Sequence, residues 1–184
     1  MVSISVCMIV KNEEAVLARC LDCVKQFADE IVIVDTGSDD TTKQIAQSYT
    51  EKVYDFAWCE DFSKARNFAF EKGSSDFLMW LDADDVILDE EIKKIQDLKQ
   101  RLPLDTAIVM MKYHTAFDET GQPIFSYYRE RLINRKAKLQ WEGVIHEVIP
   151  LQGNIQYEDI AITHRKLHVA DPDRNLKIFE HLRQ

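Results

Sequence analysis

The run Phe77-Leu78-Met79-Trp80-Leu81, closed by Asp82-Ala83-Asp84-Asp85, constrains this chain more than any other stretch. A short, unbroken apolar run between polar flanks reads as a strand buried on both faces, and so as part of a sheet covered by helices. Its C-terminal end delivers a group of carboxylates. Extended geometry puts Asp82 and Asp84 on one side and Ala83 on the other. Carboxylates that close repel one another unless a cation sits between them. A hard divalent ion with oxygen ligands would relieve the repulsion and leave positions open for a phosphate-bearing ligand. The plain alternative is a solvated acidic turn after a strand.

The rest of the first hundred residues fits the same sheet. Residues 3–10 read as a buried strand, followed by a helix to about Ala28 with Asn12 as its cap and Glu13 and Glu14 in its first turn. Residues 30–34 form a second buried strand, which ends in Asp35-Thr36-Gly37-Ser38-Asp39-Asp40-Thr41, a polar turn leading into a helix over 41–49. A short strand over 52–56 precedes a helix that Asp61 or Ser63 can cap and that Gly73 can close. A charged amphipathic helix over 89–101 follows the acids. The alternation predicts a parallel sheet with helices on both faces, and Asp35, Asp82 and Asp84 fall at strand C-termini, where such sheets bind ligands.

After Pro103 the texture becomes β-rich, with strands over 106–115, 124–133 and 155–163 and a hairpin connection over 118–123. A last helix over 172–182 opens with Asp171 as cap and Pro172 at its first position. The chain stops inside that helix, which predicts a longer protein beyond Gln184. Length predicts a single domain over 1–184, which the pattern divides into an α/β half to about residue 100 and a β-rich half over 101–184.

A net charge of −9 with no basic run excludes a nucleic-acid surface, and it means that phosphate binding would need a metal. Cys7, Cys20, Cys23 and Cys59 form no disulfide framework, and Cys20 and Cys23 lack the second pair that a zinc site requires. The apolar stretch 2–10 is too short to span a bilayer and has neither a basic start nor a cleavage site. No transmembrane segment is expected. The expected location is the cytoplasm, free or peripheral to the inner face of the membrane.

Four pieces taken in order carry a resemblance. They are Ile4-Ser5-Val6-Cys7-Met8-Ile9-Val10-Lys11-Asn12-Glu13, then Ile31-Val32-Ile33-Val34-Asp35-Thr36-Gly37-Ser38-Asp39-Asp40-Thr41, Ala65-Arg66-Asn67 and Leu81-Asp82-Ala83-Asp84-Asp85. Over about residues 3–90 the chain resembles family 2 glycosyltransferases of the GT-A fold. Its second half is similar to a bacterial subgroup with Trp-x-Gly-x-x-His-Glu, here Trp141 to Glu147. The resemblance implies a Rossmann-like, mostly parallel central sheet with an added antiparallel, β-rich acceptor half. It also implies an inverting hexosyl transfer from a nucleotide-sugar, UDP-linked by family frequency, with Mn²⁺ or Mg²⁺ as cofactor.

The resemblance assigns roles by position. Val10, Asn12 and Glu13 would lie along the nucleotide, and Asp35 would bond uracil or ribose. Arg66 would approach the phosphates or sugar. Asp82 and Ala83 would line the donor, Asp84 with Asp82 would hold the metal, and His164 would be a third ligand. Glu147 is the first candidate for the base and Glu142 the second. The acceptor (glycan, lipid or peptide) and the oligomeric state are not specified. Two rival readings stand beside this one. A non-catalytic module could bind nucleotide-sugars without turnover. A haloacid-dehalogenase-like phosphohydrolase would use the first aspartate as nucleophile, but that family places it on the first strand, whereas here other strands precede it.

Overall fold

Residue-level packing explains why the apolar runs do not alternate. In the computed structural model, which describes residues 1–165 and Ile178, strand β1 (Ile4–Val10) has both faces covered. Ile4, Val6, Met8 and Val10 join one core with Leu17, Leu21, Ile92 and Ile95, while Cys7 points into a second core with Val34, Ala69 and Trp80. The organising strand β4 (Phe77–Trp80) divides the same way, with Phe77 and Met79 in the first core and Leu78 and Trp80 in the second.

The helices bury one stripe each. Helix α1 (Leu17–Val24) turns Leu17, Cys20, Leu21 and Val24 inward at helical spacing. Leu17 and Leu21 are fully buried, each worth about 1.5–3 kcal/mol over exposure. Helices α2 (Thr42–Tyr49) and α4 (Asp89–Arg101) lie on the same side through Ala46, Ile92, Ile95 and Leu98. Helix α3 (Phe62–Lys72) covers the opposite face through Ala69 and Phe70, and Asp61 caps it by accepting from Lys64 N–H at 3.1 Å.

With β2 (Glu30–Asp35), β3 (Val53–Asp55), β5 (Asp85–Val86), β6 (Ile108–Phe117), β7 (Pro123–Asn134) and β8 (Ile155–His164), the eight strands form one sheet ordered β3-β2-β1-β4-β7-β6-β8-β5. The β3-β2-β1-β4 part is parallel, as the alternation predicts. The second half is mixed rather than purely antiparallel: β7 runs against β4 and β6, β8 runs parallel to β6, and β5 runs against β8. That last pairing sets Asp85 opposite His164.

Three local expectations are corrected. Asn12 does not cap α1: its backbone sits at φ 55° and its Oδ1 accepts from Asp39 N–H at 3.0 Å, so the helix begins only at Leu17. Gly73 ends α3 at φ −73°, so left-handed geometry is not the reason for glycine there. A Cβ on Gly73 would stand 2.6 Å from Leu78 Cδ2, and the need is for space. Asp82 and Asp84 do not alternate along a strand but share a turn, closed by Asp85 N–H donating to Asp82 O at 3.0 Å. The expected helix over 172–182 lies outside the described residues except for Ile178, which is helical and buried.

One charged group fastens the edge of the parallel part. Glu30 pairs with Lys52 and Ser5 and accepts from Ser74 N–H at 2.7 Å and Ser74 Oγ at 2.8 Å. Burial opposes ionisation of Glu30, but Lys52, Ser5 and Ser74 outweigh it and hold its pKa at about 2. A depressed carboxylate adds stability that is present above its unfolded value near 4.5 and is lost as pH falls through about 2. We expect the melting temperature to fall between those limits, and Glu30→Gln to be less stable at neutral pH with a shallower fall in that window. Parallel acid melts of the two proteins would contradict this.

Candidate active site

The loops at the C-terminal ends of β1, β2 and β4 meet on one side of the sheet. The loop after β1 is laced to the loop after β2: Asn12 N–H donates to Ser38 Oγ at 3.0 Å, and Glu13 N–H to Thr42 Oγ1 at 2.7 Å. Asp35 is buried, and its Oδ1 accepts from Gly37 N–H at 2.9 Å and Ser38 N–H at 2.8 Å. Gly37 takes φ 104°, a conformation that an L side chain resists. Asp35 Oδ2 is buried with no hydrogen-bond partner among the described residues. A buried acceptor left open is costly unless something else fills it.

The acids after β4 converge with His164. Ligand atoms of Asp82, Asp84, Asp85 and His164 all lie within 4.8 Å of one another. His164 Nδ1 is 3.2 Å from Asp84 Oδ1 and from Asp85 Oδ1, and 2.7 Å from the Tyr113 hydroxyl. Burial alone would depress the His164 pKa, but bonds to Asp84 and Asp85 outweigh it and raise it to about 9. Tyr113 is pushed far above the phenol range by burial and then by Asp85 and Asp82, so it stays a donor. The Cys20 thiol, 3.6 Å from Asp82 O, is likewise held protonated by burial and the nearby acids, so it offers no thiolate. Hard carboxylate oxygens with one imidazole suit Mg²⁺ or Mn²⁺, and the donor set fits such an ion.

Arg66 on α3 brings a fixed cation to the acids. It is buried, stacked 4.7 Å from the Trp80 ring and 5.0 Å from the Trp141 ring. Its Nη2 donates to Asp82 Oδ1 at 2.8 Å and its Nε to Glu147 Oε1 at 2.6 Å, while Nη1 has no partner among the described residues. Burial opposes the charges on both groups, but Asp82 and Glu147 outweigh it on Arg66, and Arg66 on Asp82. The guanidinium pKa is raised and the Asp82 carboxylate is lowered. One arginine thus joins the acidic turn to the first base candidate.

These side chains face a cleft of about 480 Å³ whose wall includes Val10, Glu13, Arg66, Asp82, Ala83, Asp84, Glu147 and His164. Asn12, Asp35 and Glu142 are not on that wall. Asp35 stands next to Thr36, which is. Glu142 is exposed, its backbone paired with Val148 in a bridge that closes the 143–147 loop carrying Glu147. Sequence reasoning missed Tyr113, Tyr127 and Arg129 on the wall and Arg131 behind it. The available signal was the charged triplet Arg129-Glu130-Arg131 set just before the apolar Leu132 and Ile133 of a strand, since buried charge is rare unless paired. Trp58 lines the cleft, whereas Trp141 is core, edge-on to Trp80 at 5.3 Å.

The fold and cleft define a GT-A-type α/β domain with an acidic site at the end of its parallel strands. The chain belongs to glycosyl transferase family 2, whose model matches residues 5–152. It is 32% identical over 149 residues to a TPR repeat-containing protein of Synechococcus elongatus, covering 81% of this chain and 36% of that protein. It is 29% identical over 162 residues to the lipopolysaccharide core biosynthesis glycosyltransferase LpsC of Rhizobium meliloti, covering 83% of this chain and 58% of that one. The chain therefore spans between about a third and three-fifths of these relatives' lengths. Among solved structures it superposes on glucosyl-3-phosphoglycerate synthase of Mycobacterium tuberculosis, in complex with Mn²⁺ and UDP-glucose. The TM-score is 0.63 at 14% identity, covering 98% of this chain and 76% of that one, a likeness of fold. Among the described residues no helix is long and apolar enough to cross a membrane.

Proposed function

We propose that this chain is the donor-binding and catalytic unit of an inverting hexosyltransferase. It would move a sugar from a nucleotide-diphosphate sugar, UDP-linked, to a glycan, lipid or peptide acceptor in the cytoplasm or at the inner face of the membrane. The observation that carries the reading is the convergence of Asp82, Asp84 and His164 in one cleft with Arg66 and Glu147. Family membership and the Mn²⁺ and UDP-glucose in the mycobacterial structure support it.

In this reading residues 1–100 hold the donor and the β-rich remainder faces the acceptor. Asp35 Oδ2, an acceptor without a donor among the described residues, takes a hydroxyl or N–H of the nucleoside. Arg66 Nη1, without a partner among the described residues, would donate to a phosphate oxygen. Asp82, Asp84 and His164 would hold the divalent ion, whose chemistry there is Lewis-acid stabilisation of charge on the departing diphosphate. Glu147 takes the acceptor hydroxyl's proton as that oxygen attacks the anomeric carbon from the face opposite the phosphate, so a single displacement inverts the centre.

Donor and Mn²⁺ together are expected to stabilise the fold more than either alone. Binding at a hundredfold excess over Kd adds about 2.7 kcal/mol. For a domain of this size each kcal/mol is worth about 2–4 °C of Tm. UDP or a UDP-sugar with Mn²⁺ should therefore raise Tm by about 5–10 °C. A flat melting profile across nucleotide-sugars with millimolar Mn²⁺ or Mg²⁺ would overturn the reading.

A further inference from the structure

Beneath the acidic turn lies a charge that no part of the reading so far uses. Arg131 on β7 has no exposure to solvent, and its guanidinium sits 3.7 Å from the Trp80 ring and 4.3 Å from the Tyr113 ring. Its Nη1 donates to Trp80 O at 3.1 Å and to Asp85 Oδ2 at 3.3 Å, while Nε and Nη2 are buried without partners among the described residues. A buried ion pair is weak evidence for stability, because apolar residues of like volume often serve the fold as well. This one does something local. Asp85 Oδ2 also accepts from Asp82 N–H at 3.0 Å, which fixes the first residue of the turn. Asp85 Oδ1 accepts from Tyr113 OH at 2.9 Å and lies 3.2 Å from His164 Nδ1, which fixes the ring opposite the turn.

The geometry points to Arg131 and Asp85 as positioning residues for the metal site: Arg131 reserves Asp85 as the template of the Asp82–Asp84 turn and the His164 ring, and keeps it from serving as a ligand. Asp85 belongs to the same acidic cluster as Asp82 and Asp84, yet its side chain is fully buried against the arginine, while those of Asp82 and Asp84 are 35% and 18% exposed. Arginine suits the task because it stays charged whatever the state of its neighbours, and its partner carboxylate stays committed to it. The inference rests on Asp82, Asp84 and His164 being metal ligands.

Removing Arg131 alone mixes two opposed effects, since losing a positive charge beside the site favours a cation while losing the template disfavours it. The double substitution Asp85→Leu/Arg131→Met leaves the net charge unchanged and isolates positioning. Mn²⁺ binding is followed by electron paramagnetic resonance titration, with the metal-free Tm as the measure of folding. We expect the double variant to fold and to bind Mn²⁺ about 10–100-fold more weakly, with an altered bound-Mn²⁺ spectrum. Arg131→Lys, which keeps the charge on Asp85, should fall between it and the wild type. A folded double variant with wild-type Mn²⁺ affinity would overturn the inference and leave the metal reading intact. Failure of the wild type to bind Mn²⁺ would overturn the metal reading itself. Should the double variant not fold, Asp85→Asn/Arg131→Gln keeps polar side chains at both positions and the zero charge change, and is judged by the same two outcomes.

Discussion

Asp84→Asn is expected to abolish the joint stabilisation by UDP and Mn²⁺, removing the whole of the rise of about 5–10 °C that the wild type should show. The amide matches the carboxylate in shape, so the turn persists, closed as it is by backbone and by Asp85. What disappears is charge. Without a metal the acids of the turn repel a diphosphate; with one they attract it, and Asp84 is the member of the turn whose carboxylate has no arginine ion pair among the described residues. Asp82 is engaged by Arg66 and Asp85 by Arg131, so neither can make up the loss.

The same variant has a signature independent of any ligand. His164 owes its raised pKa of about 9 to Asp84 and Asp85 acting against burial. In the metal-free wild type, protonated His164 adds stability that is full below its unfolded value of 6.5 and is lost as pH rises through about 9. With Asp84 neutralised, the imidazole should titrate at lower pH in NMR, and the stability loss, still setting in near 6.5, should be smaller and complete at lower pH. Unchanged His164 titration together with wild-type UDP and Mn²⁺ cooperation would remove Asp84 from the site.

Much of this fold could be read from local pattern, because the parallel strands are short apolar runs and their helices carry clear periodicity. The span of α4, 89–101, matches the observed Asp89–Arg101, and the Asp61 cap holds. What local pattern could not carry is partnership across the sheet. His164 reaches the acids because β5 pairs with β8, some 79 residues apart in sequence, and Arg131 reaches Asp85 across 46. Neither pairing leaves a mark in a short window of residues. Asn12 shows the converse failure: a residue with a strong capping preference was drawn instead to Asp39 and Ser38 of the neighbouring loop. The acids were legible as a group but not in their division of labour, which depends on which arginine each one meets.

Glu147→Gln is expected to slow sugar transfer by about 10²–10⁴ while leaving donor binding in place. That range corresponds to about 2.7–5.5 kcal/mol of barrier. Glutamine keeps an oxygen that can accept from Arg66 Nε, now 2.6 Å from Glu147 Oε1, so the guanidinium keeps its place between Trp80 and Trp141 and its bond to Asp82. The amide cannot take a proton. Stabilisation by UDP and Mn²⁺ should therefore survive, and the loss should appear in kcat more than in the donor KM. Glu142→Gln is the matched control. Glu142 is exposed and lies off the cleft wall, so its variant should turn over at the wild-type rate. The reverse pattern, an inactive Glu142 variant beside an active Glu147 variant, would move the base to the second candidate. Wild-type turnover in both would mean that neither glutamate is the proton acceptor, and the part of the mechanism that assigns Glu147 to the acceptor hydroxyl would fall.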